Sequence, residues 1–263
     1  MVGHAVEQRA PTLRREALRH GEDATRRLRR AVAGQRAGMR IVVFPGVLRP
    51  PSDAALLGGV MARDAGELRG REVLDLCSGS GILGLTAARL GARATAVDLS
   101  RRAVLNARLN ARLNGLDLTV LRGDLFAPVE DRRFDLIVSN PPYIPAPDGE
   151  APRGAARAWD AGPDGRAFLD RICDRAGAHL RPRGRILLVH SSLSDPGATE
   201  RRLAAAGLAT RIAAEHDGEL GPVARERVGY LRAIGAVGGS YAERMVVVEG
   251  LREADVPAAE PVQ

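Results

Sequence analysis

The chain has 263 residues, is 45% hydrophobic and 3% aromatic, and carries a formal net charge of +7; that length holds one sizeable α/β domain with appendages. No apolar run approaches the roughly 20 residues that cross a bilayer, and no signal-type stretch follows the Arg-rich start, so neither a membrane nor a secretory role is expected. Two cysteines (Cys77, Cys173) and five scattered histidines offer no disulfide framework and no metal-ligand spacing, so the expectation is a reduced, cytoplasmic setting and no metal.

All 39 basic residues are arginine. With so much Ala, Gly and Pro alongside, this reads as coding bias as much as a polyanion-binding surface, though it keeps RNA or ribosome association open. Residues 1–38 contain few large apolar side chains. Thr12 to Arg36 can form a basic helix, but the segment cannot make a core and is expected to be a flexible or loosely helical extension. Ordered structure is expected from Ile41-Val42-Val43, opening a domain over residues 39–236. Pro50-Pro51-Ser52-Asp53 reads as a helix start, with Leu56, Leu57, Val60 and Met61 on the buried face.

Strand and helix then alternate. The strand candidates are Glu72–Leu76, Ala94–Asp98, Thr119–Arg122, Phe134–Ser139 and Arg185–His190, with helices near 82–90, 101–113, 164–180 and 196–206. This order predicts a doubly wound, mostly parallel sheet with helices on both faces, a Rossmann-like α/β fold. Arg211–Ala214 and Arg227–Ile234 are the candidates for two further strands, giving seven. Residues 237–263 read as a largely disordered tail in which Met245–Val248 could form a short strand.

The turn after the first strand, Asp75-Leu-Cys-Ser-Gly79-Ser-Gly81, lets the backbone approach a ligand that a Cβ would hold off. Gly79 to Gly84 satisfies GxGxxG, which alone identifies no cofactor. Asp75 would repel a pyrophosphate but suits the ammonium of a methionine moiety, which favours S-adenosyl-L-methionine over a nicotinamide cofactor. Asp98, ending the second strand, can accept the ribose hydroxyls; its other reading is a helix N-cap that Ser100 could equally supply. Asp124 is expected near the adenine amine, or else is an ordinary loop residue. Leu99 and Leu125, which follow the two acids, complete the expected cofactor wall.

Asn140-Pro141-Pro142-Tyr143 follows the fourth strand. An amide or aromatic NH2 is a poor nucleophile because its lone pair is delocalised, so catalysis has to come from positioning and from acceptors for its two hydrogens. The Asn140 side-chain oxygen, also counted among the cofactor contacts, and the Pro141 carbonyl are two such acceptors. Consecutive prolines remove competing backbone donors. The Tyr143 ring can stack on a planar acceptor beside Pro142, and its face is expected to matter more than its hydroxyl. Trp159 reads equally as a substrate-loop aromatic or a packed lid residue. His190 reads as structural, and Cys77 as a small packing residue.

These motifs resemble those of HemK-type protein-(glutamine-N5) methyltransferases, members of the class I S-adenosylmethionine-dependent fold. The segment Ala158-Trp-Asp-Ala-Gly-Pro-Asp-Gly-Arg166 with Phe168-Leu-Asp-Arg171 is similar to the small Mtq2-like branch. The resemblance covers about 41–235. It implies a glutamine acceptor in a translation release factor, a small activating partner subunit, and Asp53 near the methionine end of the cofactor. Ser52 and Ala54 stand where that branch carries an acid and a threonine. The motif at Asn140 is shared with enzymes acting on adenine or guanine amines, so methylation of RNA or DNA is the alternative. A catalytically silent cofactor-binding subunit is a third reading.

Overall fold

Short, mostly continuous apolar runs, the pattern of strands covered on both faces, form the first part of the sheet: β1 (Glu72–Leu76), β2 (Arg93–Asp98), β3 (Leu118–Arg122), β4 (Phe134–Ser139) and β5 (Leu180–Ser191). The computed structural model describes residues 38–47, 52–63, 65–147, 158–239 and 241–254, and those from Arg40 onward belong to one folding unit. The basic segment 1–38 lies outside the described residues except for Gly38. Helices α1 (Ser52–Arg63), the short α2 (Ala65–Leu68), α3 (Ile82–Arg89), α4 (Arg101–Asn114), α5 (Ala167–Ala176) and α6 (Pro196–Ala205) connect and flank the strands. Among the described residues no helix is long and apolar enough to cross a membrane.

The sheet has seven strands in the order β3-β2-β1-β4-β5-β7-β6, where β6 is Leu208–Glu219 and β7 is Ala242–Arg252. The first five pair in parallel, and β7 runs antiparallel to both neighbours. Alternation divides each strand between two layers. Leu74, Leu76, Val97, Ile137, Ile186, Leu188, Val246 and Val248 pack with Leu169 and Ile172 of α5 and Leu203 of α6. On the other face Ala96 and Val120 pack against Val104 and Ala107 of α4. Complete burial of each large aliphatic side chain is worth about 1.5–3 kcal/mol, so the cluster under α5 and α6 is the principal core.

Three expectations are corrected. Residues 242–252, read as part of a disordered tail, form β7 in the interior of the sheet, where Val247 and Val248 are fully buried; the domain therefore runs past residue 236. Arg227–Ile234 is not a strand. It forms helix α8 (Val228–Ala233), directly after the short α7 (Pro222–Glu226), and Leu220, Ala224, Val228 and Leu231 recur at helical spacing in one small apolar cluster. The helix read over 164–180 is confined to Ala167–Ala176, because Leu180 already pairs with Phe134 as β5 begins.

Candidate functional site

β1 is the point where the winding direction reverses. Its last residue, Leu76, is level with Val97 of β2 on one side and Ser139 of β4 on the other, and such a reversal opens a crevice beyond the strand ends. The Ser139 hydroxyl donates to the Leu76 carbonyl at 2.8 Å, tying the two ends together. Asn140 therefore begins directly beside the turn Cys77–Gly81.

That turn is tight. Cys77 has φ 56° and Gly81 φ 80°, and a Cβ on Gly81 would lie 2.9 Å from the Ala107 Cβ of α4. A Cβ on Gly79 would instead meet nothing nearer than Val47 Cγ1 at 3.9 Å, so the Gly79 face of the turn is open to a ligand. Asp98 Oδ2 accepts from the Gly79 N–H and Oδ1 from the Ser100 N–H, both at 2.8 Å. Ser100 itself caps α4 by accepting from the Ala103 N–H. The acid thus holds the turn, and the serine serves the helix. Burial raises the Asp98 pKa, against the lowering by the N–H groups of Ser100 and Gly79.

Asp75 is 1% exposed. Its Oδ2 accepts from the Gly84 N–H at 2.8 Å, whereas Oδ1 is buried with no hydrogen-bond partner. Burial pushes this carboxyl up to about 8; the Gly84 N–H works against the rise and the Asp98 charge adds to it. An orphaned carboxylate oxygen beside an open glycine turn is the environment a bound ammonium would complete. Leu99, 56% exposed, offers an apolar surface next to Asp98. These residues fit S-adenosyl-L-methionine: Asp75 for the ammonium, Asp98 for the ribose, and Leu99 for the ring.

Other expected residues are placed differently. Asp124 is exposed and ion-paired to Arg171 of α5 at 2.6 Å. The Leu125 side chain packs in the main core with φ 46°, so a cofactor contact there would fall to its backbone. Asp53, in the first turn of α1 and 6% exposed, accepts from the Tyr143 hydroxyl at 2.7 Å. Burial, then the Asp53 charge, raises the Tyr143 pKa well above its ordinary value. The hydroxyl that sequence reading set aside is thus a fixed anchor, and the bond spans 90 positions of sequence. His190 is fully buried with Nδ1 against Ser194 Oγ at 3.1 Å; burial lowers its pKa to about 4, so it stays neutral. Burial also pushes the Cys77 thiol up, which makes it a poor nucleophile.

Pro141 and Pro142 are buried, while Asn140 is half-buried. Neither the Asn140 side chain nor the Pro141 carbonyl has a hydrogen-bond partner among the described residues. The chain after Tyr143 is braced by a second limb that the sequence did not reveal. The Ile144 N–H donates to Trp159 O at 2.9 Å and the Ala146 N–H to Gly162 O at 2.9 Å. Trp159 is half-buried and contributes its carbonyl to this brace. A Cβ on Gly165, whose φ is 75°, would fall 2.4 Å from the Tyr143 carbonyl oxygen. Arg227 pairs with Asp160 at 2.5 Å and donates to Pro145 O at 3.3 Å, and the Tyr230 hydroxyl donates to Pro163 O at 3.0 Å. The helical insertion between β6 and β7 thereby holds both limbs.

The model of the Methyltransferase small domain matches residues 54–151. A provisionally named protein N5-glutamine methyltransferase of Methanocaldococcus jannaschii is 31% identical over 179 residues, which cover 67% of this chain and 88% of that protein. A release factor glutamine methyltransferase of Geobacter sulfurreducens is 37% identical over 57% of this chain, but the match spans only 55% of its own length. Among solved structures, Mtq2 of E. cuniculi in complex with Trm112 shares the fold with a TM-score of 0.56 and 22% identity, covering 79% of this chain and 99% of that one. Identity above 30% across most of the archaeal relative carries the assignment: this chain belongs to the HemK-type protein N5-glutamine methyltransferases, class I enzymes whose methyl donor is S-adenosyl-L-methionine.

Proposed function

We propose that this enzyme methylates the side-chain amide of a glutamine in a protein of the translation machinery, with a release factor bearing a Gly-Gly-Gln loop as the substrate that the family resemblance points to. The carrying observation is the pair of unpartnered acceptors at Asn140 and Pro141, beside a turn whose buried Asp75 oxygen is also unpartnered. When bound, the donor supplies an electrophilic methyl on a positively charged sulfur. The Asn140 oxygen and Pro141 carbonyl accept the two amide hydrogens and draw the nitrogen lone pair out of conjugation. Tyr143, pinned through its hydroxyl to Asp53, presents its ring to the flat acceptor, and the buried prolines exclude competing donors.

The proposal places the reaction in the cytoplasm, and resemblance to the small branch extends it to a small activating partner subunit. Full transfer by the isolated chain would remove that extension. The central test incubates the chain with labelled donor and a recombinant release factor, with cell extract added to supply the partner, then treats the product separately with protease and nuclease. Label that protease alone releases, and that Asn140→Ala abolishes while cofactor affinity stays within a few-fold, is the expected result. Label lost to nuclease would replace the glutamine with a base amine of RNA or DNA, and no label on any acceptor would favour a silent subunit.

A further inference from the structure

Helix α4 carries three asparagines spaced four apart: Asn106, Asn110 and Asn114. Asparagine is a weaker helix former than alanine, and Asn106 and Asn110 are completely buried. Their amides are occupied by the extended segment Arg40–Phe44. The Arg40 N–H donates to Asn114 Oδ1 at 2.8 Å, Val42 N–H to Asn110 Oδ1 at 2.9 Å, and Phe44 N–H to Asn106 Oδ1 at 2.9 Å. In return Asn114 Nδ2 donates to Arg40 O at 2.9 Å, and the Val42 carbonyl accepts from both Asn106 and Asn110, at 2.8 and 2.9 Å. Two residues of extended chain rise about 6.6 Å, and four residues of helix rise about 6 Å. A row of side-chain amides on one helix face can therefore act as the edge of a strand.

The middle amide does more than hold the segment. Asn110 Nδ2 also donates to the Ser80 carbonyl, inside the glycine turn, at 2.9 Å. The clasped segment continues through Pro45, whose carbonyl accepts from Arg102 Nη1 at 3.4 Å, to Val47, the nearest side chain to the open face of Gly79. One side chain thus joins the segment that overlies the turn to the turn itself.

We propose that Asn110, supported by Asn106, is a positioning residue for cofactor binding: it holds the 40–47 segment and the Gly79–Gly81 turn in register, so that the nucleoside pocket is formed before the cofactor arrives. The inference rests on that turn being the cofactor seat and is independent of the methyl acceptor. Asn110→Asp keeps the acceptor for the Val42 N–H but removes the donors to Val42 O and Ser80 O. A buried hydrogen bond lost in this way corresponds to roughly a tenfold or larger rise in Kd. Asn114→Ala loosens only the outer end of the ladder.

The experiment measures S-adenosyl-L-homocysteine binding by calorimetry, amide hydrogen exchange over residues 40–47, and methyl transfer at saturating cofactor. Asn110→Asp should raise Kd and cofactor KM about tenfold or more, accelerate exchange at Val42 and Phe44, and leave kcat near wild type. Asn114→Ala should bind as wild type. If Asn110→Asp does not fold, Asn106→Ala decides by the same two readouts. Faster exchange with unchanged Kd overturns the proposal, as does unchanged exchange. Wild-type protein that fails to bind the probe would instead sink the assignment of the turn as the cofactor seat.

Discussion

Asp75→Asn tests the assignment of Asp75 to the cofactor ammonium from two opposite directions. Burial moves this carboxyl from 3.8 to about 8, so without cofactor the folded state holds a proton that the unfolded state has released above pH 4. The unfolded chain binds fewer protons, and stability falls as pH rises from about 4 to about 8. Each unit corresponds to about 1.4 kcal/mol, or ~6 kcal/mol across the interval if the surroundings do not relax. An asparagine carries no charge and can still accept from the Gly84 N–H, although its amide donors take the orphaned position at a cost of about 1–3 kcal/mol. The substitution should therefore stabilise the cofactor-free protein at pH 8 and flatten its pH dependence. It should also lower affinity for S-adenosyl-L-homocysteine by roughly 10–100-fold, the worth of a charged hydrogen bond. Wild-type binding should tighten with pH toward 8 and release a proton, since the ammonium calls for the ionised carboxylate. Urea unfolding of both proteins from pH 5 to 8, with calorimetry in buffers of differing ionisation enthalpy, reads all of this. Wild-type stability no steeper with pH than the variant's, or equal affinity in the two proteins, would refute the reasoning.

Tyr143→Phe keeps the ring but removes the 2.7 Å donor to buried Asp53; it should destabilise by about 1–3 kcal/mol in urea and slow transfer without altering cofactor Kd, and a wild-type rate would return the hydroxyl to a passive role. Gly165→Ala places a methyl 2.4 Å from the Tyr143 carbonyl at a φ of 75°, so kcat should fall more than about tenfold with cofactor affinity intact; a variant as fast as wild type would show that the brace does not set the position of Asn140.

The parts legible in sequence are those whose physics is local. β1 and β4 match their expected bounds to the residue because each is an apolar run ended by a change of composition, and the Gly79–Gly81 turn follows from residue types that permit close approach. β7 is legible only as a possible short strand over Met245–Val248, because that run is short and followed by Ala, Pro and Glu; its full length and interior place come from pairing with β5 and β6, across a helical insertion that sequence order gives no reason to expect. Val228-Gly-Tyr-Leu reads as a strand when taken alone, and only the wider spacing from Leu220 to Leu231 shows the helical period. The asparagine ladder looks like a polar helix face until Arg40–Phe44 is laid against it. The family resemblance brings Asp53 forward only for the methionine end of the cofactor; its bond to Tyr143 joins positions that no local pattern connects.

The two halves of the crevice differ in how they are held. Strands β1 to β3 and the loops that follow them supply Asp75, Asp98 and the glycine turn, and those groups are fixed by bonds to backbone within the same half, such as Gly79 N–H to Asp98 and Gly84 N–H to Asp75. The acceptor half begins at β4 and depends on distant elements: Asp53 from α1, Gly165 before α5, and Arg227 and Tyr230 from the insertion between β6 and β7. A nucleoside is the same in every reaction of this kind, so a seat held within one half of the crevice suffices for it. The acceptor varies, and a limb braced from α1, from the turn before α5 and from the insertion between β6 and β7 can be reshaped without disturbing the donor's seat. The division follows from the reversal at β1, which puts β2 on one side of the crevice and β4 on the other.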